Sequence, residues 1–231
     1  MKTLLTNLWE LFFPRCCLLC GKPLVRGEEC ICTGCLIQLP RTRFHLLKEN
    51  EVERNFWGKF PIGRATSFLH YIKEGFSQRL VHDLKYHGYK EVGEVMGRIM
   101  AAELSPSGFF EGIDLIHPVP LHPRKERQRG YNQSERLAAG LSAATGIPVC
   151  SHAIQRIKYT DTQTRKKNDE RWANVEATFS CAMPEALAGK HILIIDDVLT
   201  TGATIVACAD ALRDVPQIRI SVLTLAAAGY S

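Results

Sequence analysis

The chain has 231 residues, which is enough for one mid-sized domain with a small appendage. Hydrophobic residues make up 45% of it and charged residues 23%, which excludes an intrinsically disordered chain. The formal net charge of +5 is compatible with an anionic ligand such as a phosphate or a nucleic acid. Many soluble proteins that bind neither are equally basic, so the charge alone selects no function.

The first thirteen residues carry spaced apolar side chains that are interrupted by Asn7 and Glu10, and no small-residue cleavage site follows. This spacing favours one face of a short helix over a signal peptide. No segment of the sequence approaches the ~18 apolar residues that a membrane-spanning helix needs. We therefore expect a cytoplasmic protein without a membrane span.

Six of the nine cysteines lie between residues 16 and 35. An odd number of cysteines without a signal peptide argues against a disulfide framework. Two CxxC pairs stand out, Cys17 with Cys20 and Cys32 with Cys35. Two such loops can close a four-coordinate site without an open position, so we predict a structural zinc site.

Two alternatives to this ligand set remain at the level of the sequence. Cys16 or Cys30 can replace a neighbouring cysteine as ligand, or the cluster is redox-active or incidental. Equal CxxC loops and the reducing compartment favour zinc on the two matched pairs.

Downstream of Pro40, predicted strands alternate with predicted helices. The strands are 65–71, 113–119, 191–195 and 218–225, and the helices are 76–85, 92–104, 133–145 and 203–213. Asn132 is a candidate N-cap for helix 133–145, and Gly146 follows its end. We predict two units: residues 1–40 as a helix and zinc ribbon, and residues 41–231 as an α/β domain with a mainly parallel sheet flanked by helices. Strands 191–195 and 218–225 lack in–out alternation, which indicates burial on both faces.

A strand, two acidic residues and a hydroxyl-rich turn follow one another between residues 192 and 204. Ligands of open α/β sheets bind beyond the carboxyl ends of the strands. The turn and the helix start after it offer backbone N–H groups and hydroxyls that suit a phosphate monoester. Asp196 and Asp197 would repel a phosphate, so we expect them to bind ribose hydroxyls or a Mg²⁺ that bridges to pyrophosphate. The turn consists of Thr200, Thr201, Gly202, Ala203 and Thr204.

This thirteen-residue run resembles the ligand-binding sequence of the type I phosphoribosyltransferases, which bind 5-phosphoribosyl-1-pyrophosphate (PRPP). The resemblance implies a type I phosphoribosyltransferase-like fold. It implies that Asp196 and Asp197 contact the ribose 2- and 3-hydroxyls, and that residues 200–204 bind the 5-phosphate. The alternatives are a phosphate site of another kind between a strand and a helix, or a PRPP site that has lost its function.

Three further segments are candidates for contacts with pyrophosphate. Val119 and Pro120 follow a strand and look like the corresponding pair of the amidophosphoribosyltransferases, and four cations, among them Arg124 and Arg129, come directly after them. A polar, basic segment over 163–174, which includes Arg171, lies where type I enzymes carry a lid that excludes water. Lys85 is a third candidate, although a single lysine is usually only solvated.

The order of these segments along the chain resembles the ComF/GntX family of competence-associated proteins. The segments are the double CxxC ribbon, residues 84–88, 118–121 and 129–133, the 163–174 segment and the PRPP run. The resemblance implies a link to uptake or handling of single-stranded DNA, with the DNA-translocation machinery as partner. It departs after Thr164, where Arg165 and Lys166 replace the Leu-Ser pair common in the family.

Three functions remain open on the sequence. The first is an enzyme that transfers phosphoribosyl from PRPP with Mg²⁺ to an acceptor, and the second is a module that binds single-stranded DNA or senses PRPP. The third is an adaptor with a vestigial PRPP site. For the enzyme, a hood over the acceptor has to come from residues 36–75. There, Phe44, Phe56, Trp57 and Phe60 either stack on a ring or, as we expect, pack the ribbon onto the domain.

Overall fold

The computed structural model describes residues 14–86, 89–157 and 178–230. Its strands are β1 (Ile62–His70), β2 (Leu115–Pro118), β3 (Ile154–Arg156), β4 (Phe179–Cys181), β5 (His191–Leu199) and β6 (Arg219–Ala227). Its helices are α1 (Thr33–Gln38), α2 (Glu51–Phe56), α3 (Phe76–Tyr86), α4 (Lys90–Leu104), α5 (Pro123–Arg129), α6 (Gln133–Thr145), α7 (Pro184–Leu187) and α8 (Ala203–Asp210). None of these helices is long and apolar enough to cross a membrane.

Four strands form a parallel sheet in the order β1-β6-β5-β2. A parallel bridge between Ile116 and Val149 extends this sheet beyond β2. Strand β5 is central and is buried along nearly its whole length, as its uninterrupted apolar run predicts. The predicted α/β class with a parallel sheet is therefore confirmed. Strands β3 and β4 form a separate antiparallel pair.

Helices cover both faces of the sheet. One face packs against α3, α4 and α6 in the largest hydrophobic cluster, and the other packs against α8 and the β3–β4 pair. Gly97 of α4 and Gly140 of α6 let these two helices approach closely, because a Cβ at either position would collide with the facing backbone. Helix α6 begins after the N-cap Asn132 and ends before Gly146, both as predicted.

The cysteine segment contributes to the same core as the sheet. Cys17, Leu19 and Cys35 are buried in one cluster with Leu80 and Leu84 of α3. A boundary near residue 40 stays a prediction, because residues on both sides of it share this core.

Three expectations differ from the structure. The cationic run over 124–129, for which no helix was predicted, forms helix α5, because Pro123 starts a helical turn and the His122 side chain accepts a hydrogen bond from the Arg124 N–H. Strand β5 continues past Ile195 and includes both acids, since Asp196 pairs with Thr224 in the sheet register.

The third difference concerns the aromatic residues of the segment before β1. Phe44 and Phe56 neither form a hood nor hold the ribbon. They pack α2 and the preceding turn against the sheet, in a cluster with Leu199 and Val222, while Trp57 is exposed.

Candidate functional site

A cleft of about 400 Å³ opens at the carboxyl ends of β2, β5 and β6. This is where parallel α/β sheets bind ligands, because the loops that leave adjacent strands diverge there. Eight predicted site residues line it: Lys85, Val119, Pro120, Arg129, Asp196, Asp197, Thr200 and Thr204. The structure therefore gathers residues that are up to 119 positions apart in the sequence, from Lys85 to Thr204.

Asp196 is held in place by two hydrogen bonds to one of its oxygens. Oδ1 accepts from the Ser134 hydroxyl at 3.0 Å and from the Asp197 N–H at 2.9 Å. Ser134 stands in the first turn of α6, so this helix orients the acid from beside the strand. Burial, followed by repulsion from the Asp197 carboxylate, raises the pKa of Asp196 to about 7.

Asp197 forms an ion pair with Lys85, whose Nζ lies 2.8 Å from Oδ2. The same Oδ2 is buried and lacks a well-aligned hydrogen-bond donor among the described residues. The contact is therefore an attraction between charges at short range, and Oδ2 keeps capacity to accept from a ligand hydroxyl or to bind a cation. Lys85 thus lies beside the acid pair, although a single lysine is a weak signal for a binding site in the sequence.

The hydroxyl-rich turn is braced by two other parts of the chain. The Asn55 side chain of α2 donates to the Thr201 carbonyl at 3.3 Å, and the Tyr230 hydroxyl donates to the Thr200 carbonyl at 3.3 Å. Gly202 has a φ of +77°, and a Cβ there would lie 2.6 Å from Asn55 Nδ2. Both the backbone conformation and the close approach of α2 therefore require glycine at this position.

The turn exposes its hydroxyls while its backbone is fixed. Thr200, Thr201 and Thr204 are exposed, and the turn ends in helix α8, which begins at Ala203. Backbone N–H groups at the start of this helix have no partner within the helix, which is the arrangement that binds phosphate groups.

The β2 side of the cleft is organised by residues at the start of α6. The Asn132 side chain donates to the Val119 carbonyl at 3.1 Å, and Gln133 accepts from Arg129 Nη1 at 3.0 Å. The Arg129 guanidinium also lies 5.4 Å from the Tyr86 ring centroid. Asn132 and Gln133 therefore fix both the strand-end loop and one of its cations.

Some residues differ between prediction and structure. Arg124, Thr201, Gly202 and Ala203 are not among the residues that line the cleft. Lys125, another of the four predicted cations, lines it, and so does Arg156, which was not predicted. Helix α5 explains why Lys125 and not Arg124 lines the cleft, because neighbouring side chains of a helix point in directions about 100° apart. Arg156 was missed because nothing in the sequence near it marks a site. The predicted lid over 163–174, with Arg171, lies outside the described residues.

The second candidate site is the cysteine cluster. The Sγ atoms of Cys17, Cys20, Cys32 and Cys35 all lie within 4.8 Å of one another, with Cys20 and Cys32 3.7 Å apart. Tetrahedral zinc with Zn–S bonds of ~2.3 Å needs sulfur atoms about 3.8 Å apart, so the four thiols fit this ion. Cys16 and Cys30, the alternative ligands, are outside this group.

The two buried thiols of the cluster differ in acidity. Burial acts to raise the pKa of Cys17, but backbone N–H groups, that of Cys32 first, outweigh it and lower the pKa to about 7. Burial raises the pKa of Cys35. A bound cation would favour the thiolate form of both, because a metal-bound thiol is deprotonated.

Comparison with known proteins identifies a domain in the second half of the chain. The phosphoribosyl transferase domain model matches residues 127–230, which include the acid pair and the hydroxyl-rich turn. The solved glutamine PRPP amidotransferase from B. subtilis is 18% identical with a TM-score of 0.41, and the match covers 62% of this chain and 30% of that one. The parallel sheet and the domain match define a phosphoribosyltransferase-like protein with a four-cysteine appendage.

Matches over nearly the whole chain define the family. The DNA utilization protein YhgH of Escherichia coli (strain K12) is 30% identical over 214 residues, covering 86% of this chain and 91% of that protein. Competence protein F of Haemophilus influenzae is 26% identical, with 94% and 99% covered. Competence protein ComFC of Bacillus subtilis is 27% identical, with 86% and 71% covered. The chain belongs to the ComF family.

Proposed function

We propose that this protein binds PRPP together with Mg²⁺ in the cleft and transfers the phosphoribosyl group to an acceptor. One observation carries the proposal: an acid pair, an exposed hydroxyl-rich turn and several cations converge on one cleft at the ends of three parallel strands. Each of these groups matches a different part of PRPP. A generic phosphate site would have no use for two adjacent carboxylates.

In this proposal the ends of β5 and β2 bind different parts of PRPP. Asp196 and Asp197 at the end of β5 accept hydrogen bonds from the ribose 2- and 3-hydroxyls. The turn over 200–204 holds the 5-phosphate through its N–H and hydroxyl groups. The loop after β2, with Val119 and Pro120, faces the pyrophosphate, and the cations Lys125 and Arg129 line the same side.

Transfer breaks the bond between ribose C1 and the pyrophosphate oxygen and forms a bond from C1 to the acceptor. Positive charge develops on the ribose ring in this step, while pyrophosphate leaves with the bonding electrons. Bound Mg²⁺ would neutralise charge on the leaving pyrophosphate. The cleft cations stabilise the same developing charge, and Asp197 Oδ2 is an oxygen ligand suited to Mg²⁺. Before the ligand binds, the ammonium group of Lys85 offsets part of the negative charge of the acid pair.

The proposed cellular role comes from the relatives. Two carry names that refer to competence and one a name that refers to DNA utilization. We propose the same setting for this protein: a cytoplasmic role in uptake or handling of DNA, next to the machinery that translocates it.

Calorimetric titration of PRPP and Mg²⁺ tests the site directly. We expect saturable binding by the wild type and loss of binding in the Asp196→Asn/Asp197→Asn double variant. The Asp210→Asn/Asp214→Asn variant removes two exposed carboxylates outside the cleft and should bind as the wild type does. Release of pyrophosphate that requires both PRPP and an added acceptor base would establish transfer. Absence of binding to the wild type at millimolar PRPP would refute the proposal.

A second candidate function is binding of single-stranded DNA by the cleft rim. Tyr86 is 62% exposed, and Arg129 of the cationic helix α5 lies over its ring. Exposed aromatic rings interleaved with cations form stacking surfaces for single strands.

This second function predicts a salt-dependent affinity. Fluorescence anisotropy with a labelled single-stranded oligonucleotide should show binding that weakens at least tenfold between about 50 mM and about 200 mM salt. The Tyr86→Ala variant should bind several-fold more weakly because one stacking surface is lost. An affinity that changes with neither salt nor this substitution would exclude the rim as a DNA site.

A further inference from the structure

Arg156 occupies a part of the cleft wall that comes from neither the β2 loop nor the β5 loop. It is the last residue of β3, and it pairs with Phe179 of β4 in an antiparallel register. Its guanidinium carbon lies 5.3 Å from the Phe179 ring centroid, and its side chain lines the cleft. The three-residue strand that carries it therefore reaches the ligand site from outside the main sheet.

The strand pair beneath Arg156 is fixed in the core. Ile154 is 1% exposed and Phe179 is 3% exposed, and both belong to the hydrophobic cluster that contains Cys208 of α8. A guanidinium stacked on a buried ring loses little further freedom when it binds, because its orientation is already set. Arg156 is thus a preorganised donor rather than a solvated surface cation.

The position of Arg156 relative to the loops identifies the part of the ligand it faces. Val119, which begins the loop after β2, packs in the same hydrophobic cluster as Ile154 and Phe179 of the strand pair that carries Arg156. Arg156 therefore lies next to the β2 loop, which faces the pyrophosphate in the function proposed above.

The other cleft cations are Lys85, Lys125 and Arg129. Lys85 is paired with Asp197, and Arg129 is tied to Gln133 and stacks on Tyr86. A pyrophosphate carries several negative charges at neutral pH and requires donors from more than one direction. A planar guanidinium can donate two parallel N–H bonds to phosphate oxygens, which an ammonium group cannot do.

We infer that Arg156 is a pyrophosphate-binding residue, which donates hydrogen bonds to the leaving group of PRPP from the β3–β4 pair. This inference rests on the proposed function, because it assigns a residue to the ligand that the cleft is proposed to bind. It adds a contact from the β3–β4 pair to the contacts supplied by the two strand-end loops.

Three ligands separate the subsites in calorimetric titrations with Mg²⁺: PRPP, pyrophosphate alone and ribose 5-phosphate alone. We expect the Arg156→Ala variant to bind PRPP and pyrophosphate about tenfold or more weakly, because it loses charge-assisted hydrogen bonds. Its affinity for ribose 5-phosphate should change less than twofold. The Arg156→Lys variant should recover only part of the loss, because a single ammonium cannot replace the fork.

Arg213→Ala is the matched control, since it removes one exposed positive charge beyond the end of α8, away from the cleft. Thermal unfolding of each variant shows whether the core under β3 is intact. Equal weakening of PRPP and ribose 5-phosphate, or unchanged pyrophosphate binding in a folded Arg156→Ala variant, would overturn the inference while PRPP binding by the wild type still supports the proposed function. Failure of the wild type to bind either PRPP or pyrophosphate would refute both the inference and the proposed function.

Discussion

Asp196 shows how a single residue is kept ready for its ligand at a cost in stability. It is surrounded by apolar strand neighbours, and its closest charged neighbour in the chain is another carboxylate, so burial and repulsion together raise its pKa to about 7. In the unfolded chain an aspartate has a pKa near ~3.9. The folded state therefore holds the proton more tightly than the unfolded state does.

A pH-dependent stability follows from this difference. The contribution of protonated Asp196 is fully present below about pH 4 and is lost as the pH rises to about 7, so the free energy of unfolding should fall across this window. Asp196→Asn keeps the Ser134 contact but cannot ionise, and should raise the free energy of unfolding more at pH 8 than at pH 5. Urea denaturation of both proteins between pH 5 and pH 8 measures it.

The same variant also separates stability from function. We expect it to be more stable than the wild type at pH 8 and yet unable to bind PRPP, since active sites commonly lose stability for function. Equal stabilities of variant and wild type at pH 5 and at pH 8 would show that Asp196 is ionised in the folded protein throughout.

At the scale of elements, helix α3 connects the cysteine cluster to the cleft. Arg79 near its start donates to the Leu19 carbonyl at 3.0 Å, beside Cys17 and Cys20. Six residues further along the helix, Lys85 forms its ion pair with Asp197. The helix is anchored between these contacts by Leu80 and Leu84, which share a core cluster with Cys17 and Cys35. The cysteine loops thus help to set the position of Lys85.

Metal removal should therefore weaken PRPP binding at a distance. If zinc holds the four thiols, chelation will lower both the melting temperature and the affinity for PRPP, because the core under α3 loosens. Elemental analysis should give one zinc per chain before chelation. A metal-free protein with unchanged melting temperature and PRPP affinity would contradict this.

Two arginine variants separate the role of α3 from general damage to the cysteine loops. Arg79→Ala should reduce the affinity for PRPP about threefold to tenfold at unchanged zinc content, since it removes one hydrogen bond between the loops and α3. Arg98→Ala breaks the contact of α4 with Glu29 of the cysteine segment, at 2.5 Å, and should leave PRPP binding unchanged, because Arg98 does not line the cleft. Equal losses of PRPP affinity in both variants would show that α3 does not link the cysteine loops to the cleft more than α4 does.

At the scale of the whole molecule, local signals in the sequence predicted the elements that carry the site. The apolar run of β5, the caps of α6 and the turn before α8 each depend on residues that are close in the chain, so pattern and propensity suffice to predict them. The two CxxC pairs were predicted for the same reason, and their thiols lie together in the structure. That zinc binds there stays a prediction.

The predictions that failed have two different physical causes. Phe44 and Phe56 are apolar residues whose partners, Leu199 and Val222, lie more than 100 residues away, and the sequence does not show which surface they cover. The cationic run became a helix because Pro123 and the His122 cap outweighed the loop-like composition. Lys125 rather than Arg124 lines the cleft because of the rotation of that helix.

The sequence by itself determined the order of the elements, the acid pair with its hydroxyl-rich turn, and the spacing of the cysteines, because each of these is written in contiguous residues. Only the tertiary structure decided that Lys85 pairs with Asp197, that Ser134 holds Asp196 and that Arg156 enters the cleft from a separate strand pair. The first two contacts join residues 112 and 62 positions apart in the chain. The parallel sheet brings them together, because it gathers the ends of distant strands at one edge.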